Sequence, residues 1–418
     1  MQAGTSVRYT RGIWVRAMTG AIARPIILLL GILIFLGVIY APARDFFHST
    51  GDVYLYDHYA QQALARPMEL PREYPPLTAA IFVLPKLLLP GSYPLGFALF
   101  AALGTWLTVL VVDRLSRQGW WLLLYLVLGA FGTLFFRFDI LVVLLTVLAF
   151  AAAARERWVV AQALLALGVA FKLYPAILMP LVVLWEWRVT RRLPLKSGLG
   201  GVLLLLLAVG SMWLLAPAQF VSMLRYHQDR PLEFEALGAS LAWLLSPVTA
   251  VFSFGSWNLI SPLSPILITA STGLNILLLL LLYGAFMQGR LDPGTAWLLA
   301  LVIQVVTSKV FSTQYLIWIL PFALLAGWAV PGSKVQHSYT RWFWALICLL
   351  TSAVYPIALE RYAVPVMQAQ QAPGWMMALV TLRNALLVVV ALLALIQGAP
   401  TLATTSARTD EHGRIDRV

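Results

Sequence analysis

Acidic and aromatic side chains crowd into one short stretch of this chain. Gly51-Asp52-Val53-Tyr54-Leu55-Tyr56-Asp57-His58-Tyr59 is followed by Glu73-Tyr74-Pro75-Pro76-Leu77. Five of the seventeen acidic residues lie between positions 42 and 75. A carboxylate such as Asp52 suits general-base work, drawing a proton from a hydroxyl nucleophile, and Asp57 and Glu73 are its rivals for that role. The plain alternative is a set of solvated acids close to a membrane. Tyr54, Tyr56, Tyr59 and Tyr74 also admit two readings. They can be rings of a membrane–water interface, or rings that stack on the apolar faces of pyranoses. Pro75-Pro76 fixes the backbone where the stretch runs into the next apolar segment.

A second set of groups is cationic. Lys172, in Ala170-Phe171-Lys172-Leu173-Tyr174-Pro175, and Lys309, in Ser308-Lys309-Val310-Phe311-Ser312-Thr313-Gln314-Tyr315, both interrupt apolar runs. A lysine at the middle of a spanning helix costs on the order of 2.5–3.5 kcal/mol on insertion scales, so such a residue is a functional candidate unless it snorkels from a helix end. With Arg230, the two lysines would make a site for a lipid-linked phosphate. His227 lies in Tyr226-His227-Gln228-Asp229-Arg230-Pro231-Leu232-Glu233-Phe234-Glu235. There it is either a surface histidine or a group that orients a hydroxyl or phosphate. Arg137 and Asp139 are expected to pair with each other or to cap a helix junction. The chain has no Gly-rich phosphate loop, no His/Cys metal spacing, no Gly-x-Ser-x-Gly elbow in a usable context and no Asp-x-Asp pair. Neither a metal nor an organic cofactor is expected, and a cytosolic sugar nucleotide is an unsuitable donor.

The elements that position these groups must live in lipid. Of the 418 residues, 61% are hydrophobic and 11% charged, with a mean hydropathy of +0.84. Soluble globules carry roughly 25% charged residues. The expectation is therefore an all-α, polytopic integral membrane protein without a soluble ectodomain. Thirteen apolar segments are legible, at about 25–41, 76–90, 94–112, 119–136, 138–154, 158–171, 174–187, 198–216, 264–288, 295–309, 314–330, 342–358 and 374–397. Several fall short of the roughly 20 residues a bilayer crossing needs, as helices around a water-filled cavity can.

The net charge of +12 comes from basic residues at the ends of apolar runs, a topology signal and not a nucleic-acid patch. Arg8, Arg11, Arg16 and Arg24 put the N-terminus in the cytoplasm, and Arg408, Arg414 and Arg417 put the C-terminus there too. Phe136–Asp139, Lys172, residues 217–262 and Lys309 then share the outer side with 42–75. An odd number of segments cannot leave both ends inside, so one does not cross; 76–90, short, broken by Pro85 and carrying Lys86, is the best candidate, the alternative being that the Arg114/Arg117 loop is external. Residues 237–262 read as a loop with an interfacial helix. Cys348 is the sole cysteine, which excludes an intramolecular disulfide and a thiolate metal cluster.

Several of these segments, in this order, resemble glycosyltransferase family 87, the C-type polyprenol-phosphate-mannose-dependent α-mannosyltransferases. They are Asp52 with the tyrosines behind it, Glu73-Tyr74-Pro75-Pro76-Leu77, Gly168-Val169-Ala170-Phe171-Lys172-Leu173-Tyr174-Pro175-Ala176, Arg230 with Glu235, and Phe311-Ser312-Thr313-Gln314-Tyr315-Leu316-Ile317-Trp318 ending at Pro321. The match runs over roughly residues 20 to 397. Two stretches, Phe136-Arg137-Phe138-Asp139 and Ala65-Arg66-Pro67-Met68, depart from the family pattern.

The resemblance implies a C-type glycosyltransferase fold of about 12 transmembrane helices, with outer-side active-site loops 42–75 and 217–262. It would occupy residues 25–397, between a cytoplasmic segment 1–24 and a cytoplasmic polar tail 398–418. It implies Asp52 as catalytic base and inverting, metal-independent transfer of a hexose, mannose first, from a polyprenyl-phosphate sugar. The acceptor would be a glycolipid or glycan hydroxyl at the outer face of the plasma (inner) membrane, and the other partners membrane lipids. The expected substrate-binding set is Asp57, Tyr56, Glu73, Tyr74, Lys172, His227, Arg230, Lys309 and Gln314. The competing expectation is a transporter or flippase of a lipid-linked saccharide, using the same cations without a base. Such proteins often carry internal repeats, and the two halves of this chain show no convincing self-similarity.

Overall fold

The computed structural model describes residues 23–39, 51–65, 73–327 and 337–397. The tail 398–418, Arg66-Pro67-Met68 and all but the last two residues of the N-terminal segment lie outside the described residues.

The chain is mostly helical because its apolar runs have no other way to satisfy their backbone in lipid. Helices α1 (Ala23–Ile39), α2 (Asp52–Ala65), α3 (Ala79–Leu88), α4 (Tyr93–Ser116) and α5 (Gly119–Gly129) come first. They are followed by α6 (Asp139–Ala153), α7 (Trp158–Phe171), α8 (Met179–Thr190), α9 (Leu195–Leu215) and α10 (Pro217–Asp229). After α11 (Leu237–Leu245) come α12 (Ser264–Met287), α13 (Pro293–Val306), α14 (Leu316–Leu325), α15 (His337–Ser352), α16 (Val364–Gln368) and α17 (Gly374–Gln397). Prolines stand in the first turns of α4, α8, α10, α12 and α13, where the missing N–H has no intrahelical partner to lose. Asp292 caps α13, its carboxylate accepting the Thr295 N–H at 3.0 Å.

Among the described residues, five helical runs are long and apolar enough to cross a membrane: α4, α9, α12, the run Thr340–Gln368, and α17. They have 21 to 29 residues, about 30–45 Å at 1.5 Å per residue, which matches a hydrocarbon core of about 30 Å. In the most apolar windows of α9 and α12 only 11% of the residues are buried. Leu199, Leu203, Leu206 and Leu207 on α9, and Leu277, Leu280 and Leu281 on α12, are exposed, a surface whose solvent is lipid.

Seven further apolar helices have only 10–17 residues, and their shortness has a local cause. Helix α6 begins at Asp139, α7 stops just before Lys172, α13 stops before Lys309 and α14 starts after Thr313. Asp139 accepts both the Lys172 ammonium and the Trp318 indole N–H at 2.6 Å. Helices α6, α7, α13 and α14 therefore end where a polar centre begins. Their other ends pack in a dry core, with Phe150 of α6 against Trp297 of α13 at 5.3 Å and Trp297 against Phe322 of α14 at 5.4 Å.

Arg24, in the first turn of α1, donates to Asp113 near the end of α4 at 2.7 Å. Between α1 and α4 the described residues hold α2, a 3-10 turn at Pro76–Thr78 and the Pro85-containing α3.

Three expectations need correction. The fold is not all-α: β1 (Leu232–Glu233), β2 (Thr249–Ser253) and β3 (Ser256–Ile260) form an antiparallel sheet of order β1-β3-β2. Residues 237–262 are therefore a helix followed by a hairpin. Phe254 and Gly255 turn that hairpin with φ of 55° and 69°, the doubly positive geometry that matches strand twist. The Tyr226 hydroxyl donates to the Phe254 carbonyl at 2.6 Å and holds the turn. Lastly, the described part of 42–75 is largely helix and not loop. Residues 53–65 contain no Gly or Pro, and Asp52 stands at the helix start, where a carboxylate meets the positive end of the dipole.

Candidate functional site

The ends of the short helices, α2, α10 and the hairpin tip enclose a cavity of about 410 Å³. Asp52 is on its wall, at the first position of α2. Tyr56 follows one turn later, and its hydroxyl lies 3.4 Å from the Asp52 carboxylate and 3.5 Å from the Tyr74 hydroxyl. Tyr56 is 0% exposed and stacks on Phe82 at 4.4 Å. It does not line the cavity, so it supports Asp52 and is not a sugar platform. Tyr74 and Glu73 do line the cavity, and the Tyr59 hydroxyl donates to Glu73 at 2.5 Å.

Asp57 is elsewhere. Five residues beyond Asp52 it points about 140° away around the helix, where it pairs with Lys86 at 2.6 Å. Its expected place in the site is overturned by helical geometry, which a loop reading could not apply.

Arg137 and Asp139 do not pair. Residues two apart at a helix start face different sides, and the two part accordingly. Arg137 forms an ion pair with Asp52, while Asp139, 1% exposed, takes Lys172, 14% exposed. The Lys172 ammonium also sits 4.9–5.4 Å from the ring centres of Phe138, Tyr315 and Trp318. Tyr174, Trp318 and Tyr315 form a column, stacked at 4.1 and 4.0 Å, along the same wall. Lys172 is thus a cavity-lining cation whose charge is already matched.

The remaining cations come from the connections outside the spanning helices. Arg230 donates to Ser256 at 2.8 Å and lies 3.4 Å from Glu233, and its Nε has no partner. Among the described residues the Lys309 ammonium meets the Gln228 carbonyl alone, at 2.8 Å. Partial burial and the nearby Arg230 lower its pKa. His227 sits at the rim, and its pKa is lowered by desolvation and then by Arg230. The Gln314 amide oxygen accepts the Ser312 hydroxyl at 2.6 Å on the same wall. The cavity therefore gathers Asp52, Glu73, Tyr74, Lys172, His227, Arg230, Lys309 and Gln314, and leaves out Tyr56 and Asp57.

Sequence reasoning missed two groups. Glu233 is buried on the cavity wall with its Oε2 unpaired. Burial, more than the neighbouring Glu235, pushes it up to about 7 against the pull of Arg230 and Arg383. Glu235 is tied down behind the site. Arg383, 0% exposed on α17, donates to its carboxylate at 2.6 Å and its carbonyl at 2.7 Å, and the Thr313 hydroxyl donates to the same carboxylate. The signal was present: Arg383 is the one charged residue in the apolar run 374–397, and an arginine there demands a partner. Among the described residues no group of three His, Cys, Asp or Glu side chains could hold a metal ion.

The fold and site together define a helical membrane protein with a charged, half-open cavity at the ends of its short helices. Comparison with known proteins returned no matching family model, no matching characterised protein and no matching solved structure.

Proposed function

We propose that this chain is a membrane hexosyltransferase that moves a sugar, mannose first, from a polyprenyl-phosphate donor to a lipid- or glycan-linked hydroxyl with inversion. The observation that carries this reading is that Asp52, Arg230 and Lys309 line one cavity. Arg230, with a free Nε, and Lys309, with only a carbonyl partner, are the cations suited to a phosphate. Lys172 adds field but is held by Asp139. The column Tyr174–Trp318–Tyr315 offers an aromatic edge to a sugar. The exposed leucines of α9 and α12 suit an isoprenoid tail.

In the proposed step Asp52 takes the proton of the acceptor hydroxyl, and the acceptor oxygen forms a bond to the anomeric carbon. The bond from that carbon to the phosphate oxygen breaks, and polyprenyl phosphate leaves with the electron pair, its charge held by Arg230 and Lys309. Attack from the side opposite the leaving group inverts the centre. On this reading the site opens at the extracytoplasmic face of the plasma (inner) membrane, with both termini in the cytoplasm.

The test is transfer of radiolabelled mannose from polyprenyl-phosphate mannose in membranes carrying wild-type or Asp52→Asn protein. A general base is worth about 10²–10⁴-fold, so the variant loses transfer by that factor. Undiminished transfer by folded Asp52→Asn protein removes Asp52 as the base. Flipping of a lipid-linked saccharide by both proteins, without transfer by either, makes the chain a transporter.

A further inference from the structure

Asp52 and Arg137 also face a second cavity, of about 490 Å³, toward the hairpin and the run Thr340–Gln368. That run breaks at Tyr355, which is extended (φ −135°, ψ 130°) before Pro356, and Tyr355 and Glu360 reach the cavity wall. The two cavities share seven lining residues, among them Asp52, Arg137, Glu233 and Gln314.

Their private walls are opposite in charge. The wall belonging only to the first carries Lys172, Arg230 and Lys309 against one acid, Glu73. The wall belonging only to the second carries Glu360, together with Glu235, whose charge Arg383 matches from behind, and among the described residues no Lys or Arg. An anion entering there meets the Glu360 carboxylate, with Arg137 as the sole lining cation among the described residues, and Arg137 is already paired with Asp52. Trp257 and Tyr355 add aromatic surface. Glu233, with a side chain 5% exposed and Oε2 unpartnered, supplies a buried open acceptor on the shared wall.

We propose that the second cavity is the acceptor site and that it takes an uncharged sugar ring while rejecting a phosphorylated one. This rests on the transferase reading. The acceptor ring lies against Trp257 and Tyr355, and one of its hydroxyls donates to the open oxygen of Glu233. The reacting hydroxyl gives its proton to Asp52 across the shared wall. The donor's anomeric carbon approaches from the first cavity, where the phosphate departs. Opposite wall charges thus sort the two substrates into their sites.

The experiment uses full-length protein in lipid nanodiscs, polyprenyl-phosphate mannose as donor, and octyl mannoside or its 6-phosphate as acceptor. Binding of a short isoprenyl phosphate is measured on every variant as an independent report on the first cavity. The wild type favours the neutral acceptor by about tenfold or more in kcat/KM. Trp257→Ala raises the KM for octyl mannoside about tenfold with isoprenyl phosphate binding unchanged. Glu360→Lys, at an exposed position, narrows the preference against the 6-phosphate by a similar factor.

Equal use of the two acceptors, or an unchanged preference in Glu360→Lys, overturns the inference while donor turnover leaves the transferase reading standing. Loss of isoprenyl phosphate binding in Trp257→Ala alone marks that variant as misfolded, and Glu360→Lys then decides. Failure of the wild type to bind isoprenyl phosphate removes the transferase reading and the acceptor site with it.

Discussion

Asp139→Asn should unfold this protein far more readily, although the substitution is nearly isosteric and only exchanges a carboxylate oxygen for an NH2 group. Asp139 is 1% exposed and Lys172 14%, with 2.6 Å between ammonium and carboxylate. The same carboxylate oxygen accepts the Trp318 N–H, a bond the asparagine oxygen can keep. What is lost is the counter-charge of a buried lysine, and removing one partner of such a pair costs about 3–5 kcal/mol. That is about two to three and a half powers of ten in the unfolding equilibrium. Adding Lys172→Met removes the orphaned cation. The double variant forgoes the cation–aromatic contacts, so it should return to within about 2 kcal/mol of the wild type and be more stable than either single variant. The assay is SDS titration of the purified protein in mixed micelles, followed by labelling of the thiol of Cys348, which is buried in the folded chain. If Asp139→Asn unfolds with the wild type, or if the two substitutions add, Asp139 is not the counter-charge that joins the ends of α6, α7 and α14. The double variant also separates roles: retained isoprenyl phosphate binding assigns the phosphate to Arg230 and Lys309, and its loss from folded protein returns Lys172 to the ligand set.

Two further outcomes are expected. Glu233, pushed up to about 7, is neutral below that pH and leaves Arg230 to a ligand. Above it the ionised carboxylate competes for Arg230. Affinity for an isoprenyl-phosphate sugar, a diester of constant charge, should therefore be highest below about pH 7 and weaken as pH rises through it. Glu233→Gln should hold the low-pH affinity across that window, and binding isotherms on the two proteins check it. Packing gives the last outcome. A Cβ at Gly294 of α13 would run into the Leu325 carbonyl of α14, whereas one at Gly273 of α12 meets nothing within 4 Å. Gly294→Ala should lose about 1–3 kcal/mol in the SDS assay, and Gly273→Ala should be neutral or stabilising by about 0.5–1 kcal/mol.

The sequence by itself marked stretches long and apolar enough to cross a membrane, because run length against bilayer thickness is a one-dimensional quantity. The apolar stretches of α4, α9, α12 and α17 were legible on that ground. It also marked Asp52, Lys172 and Lys309 as exceptional, since a charge inside or beside an apolar run costs free energy wherever the fold puts it. The arginine pattern placed Phe136–Asp139, Lys172, 217–262 and Lys309 at one level, and members of all four groups meet on one cavity.

Pairing was left to the tertiary structure. Asp139 chooses Lys172, 33 positions away, and Trp318, 179 away, over Arg137 two residues before it. Arg383 finds Glu235 across 148 positions. The hairpin strand β3 aligns with β1 across a helix, a register no local alternation announces. Asp52 and Asp57 look interchangeable as letters, and only a helix turns one to the cavity and the other to Lys86. Composition and spacing fix how much each residue costs to bury. Which partner offsets that cost depends on where helix ends converge in space, and that is decided only when the helices pack.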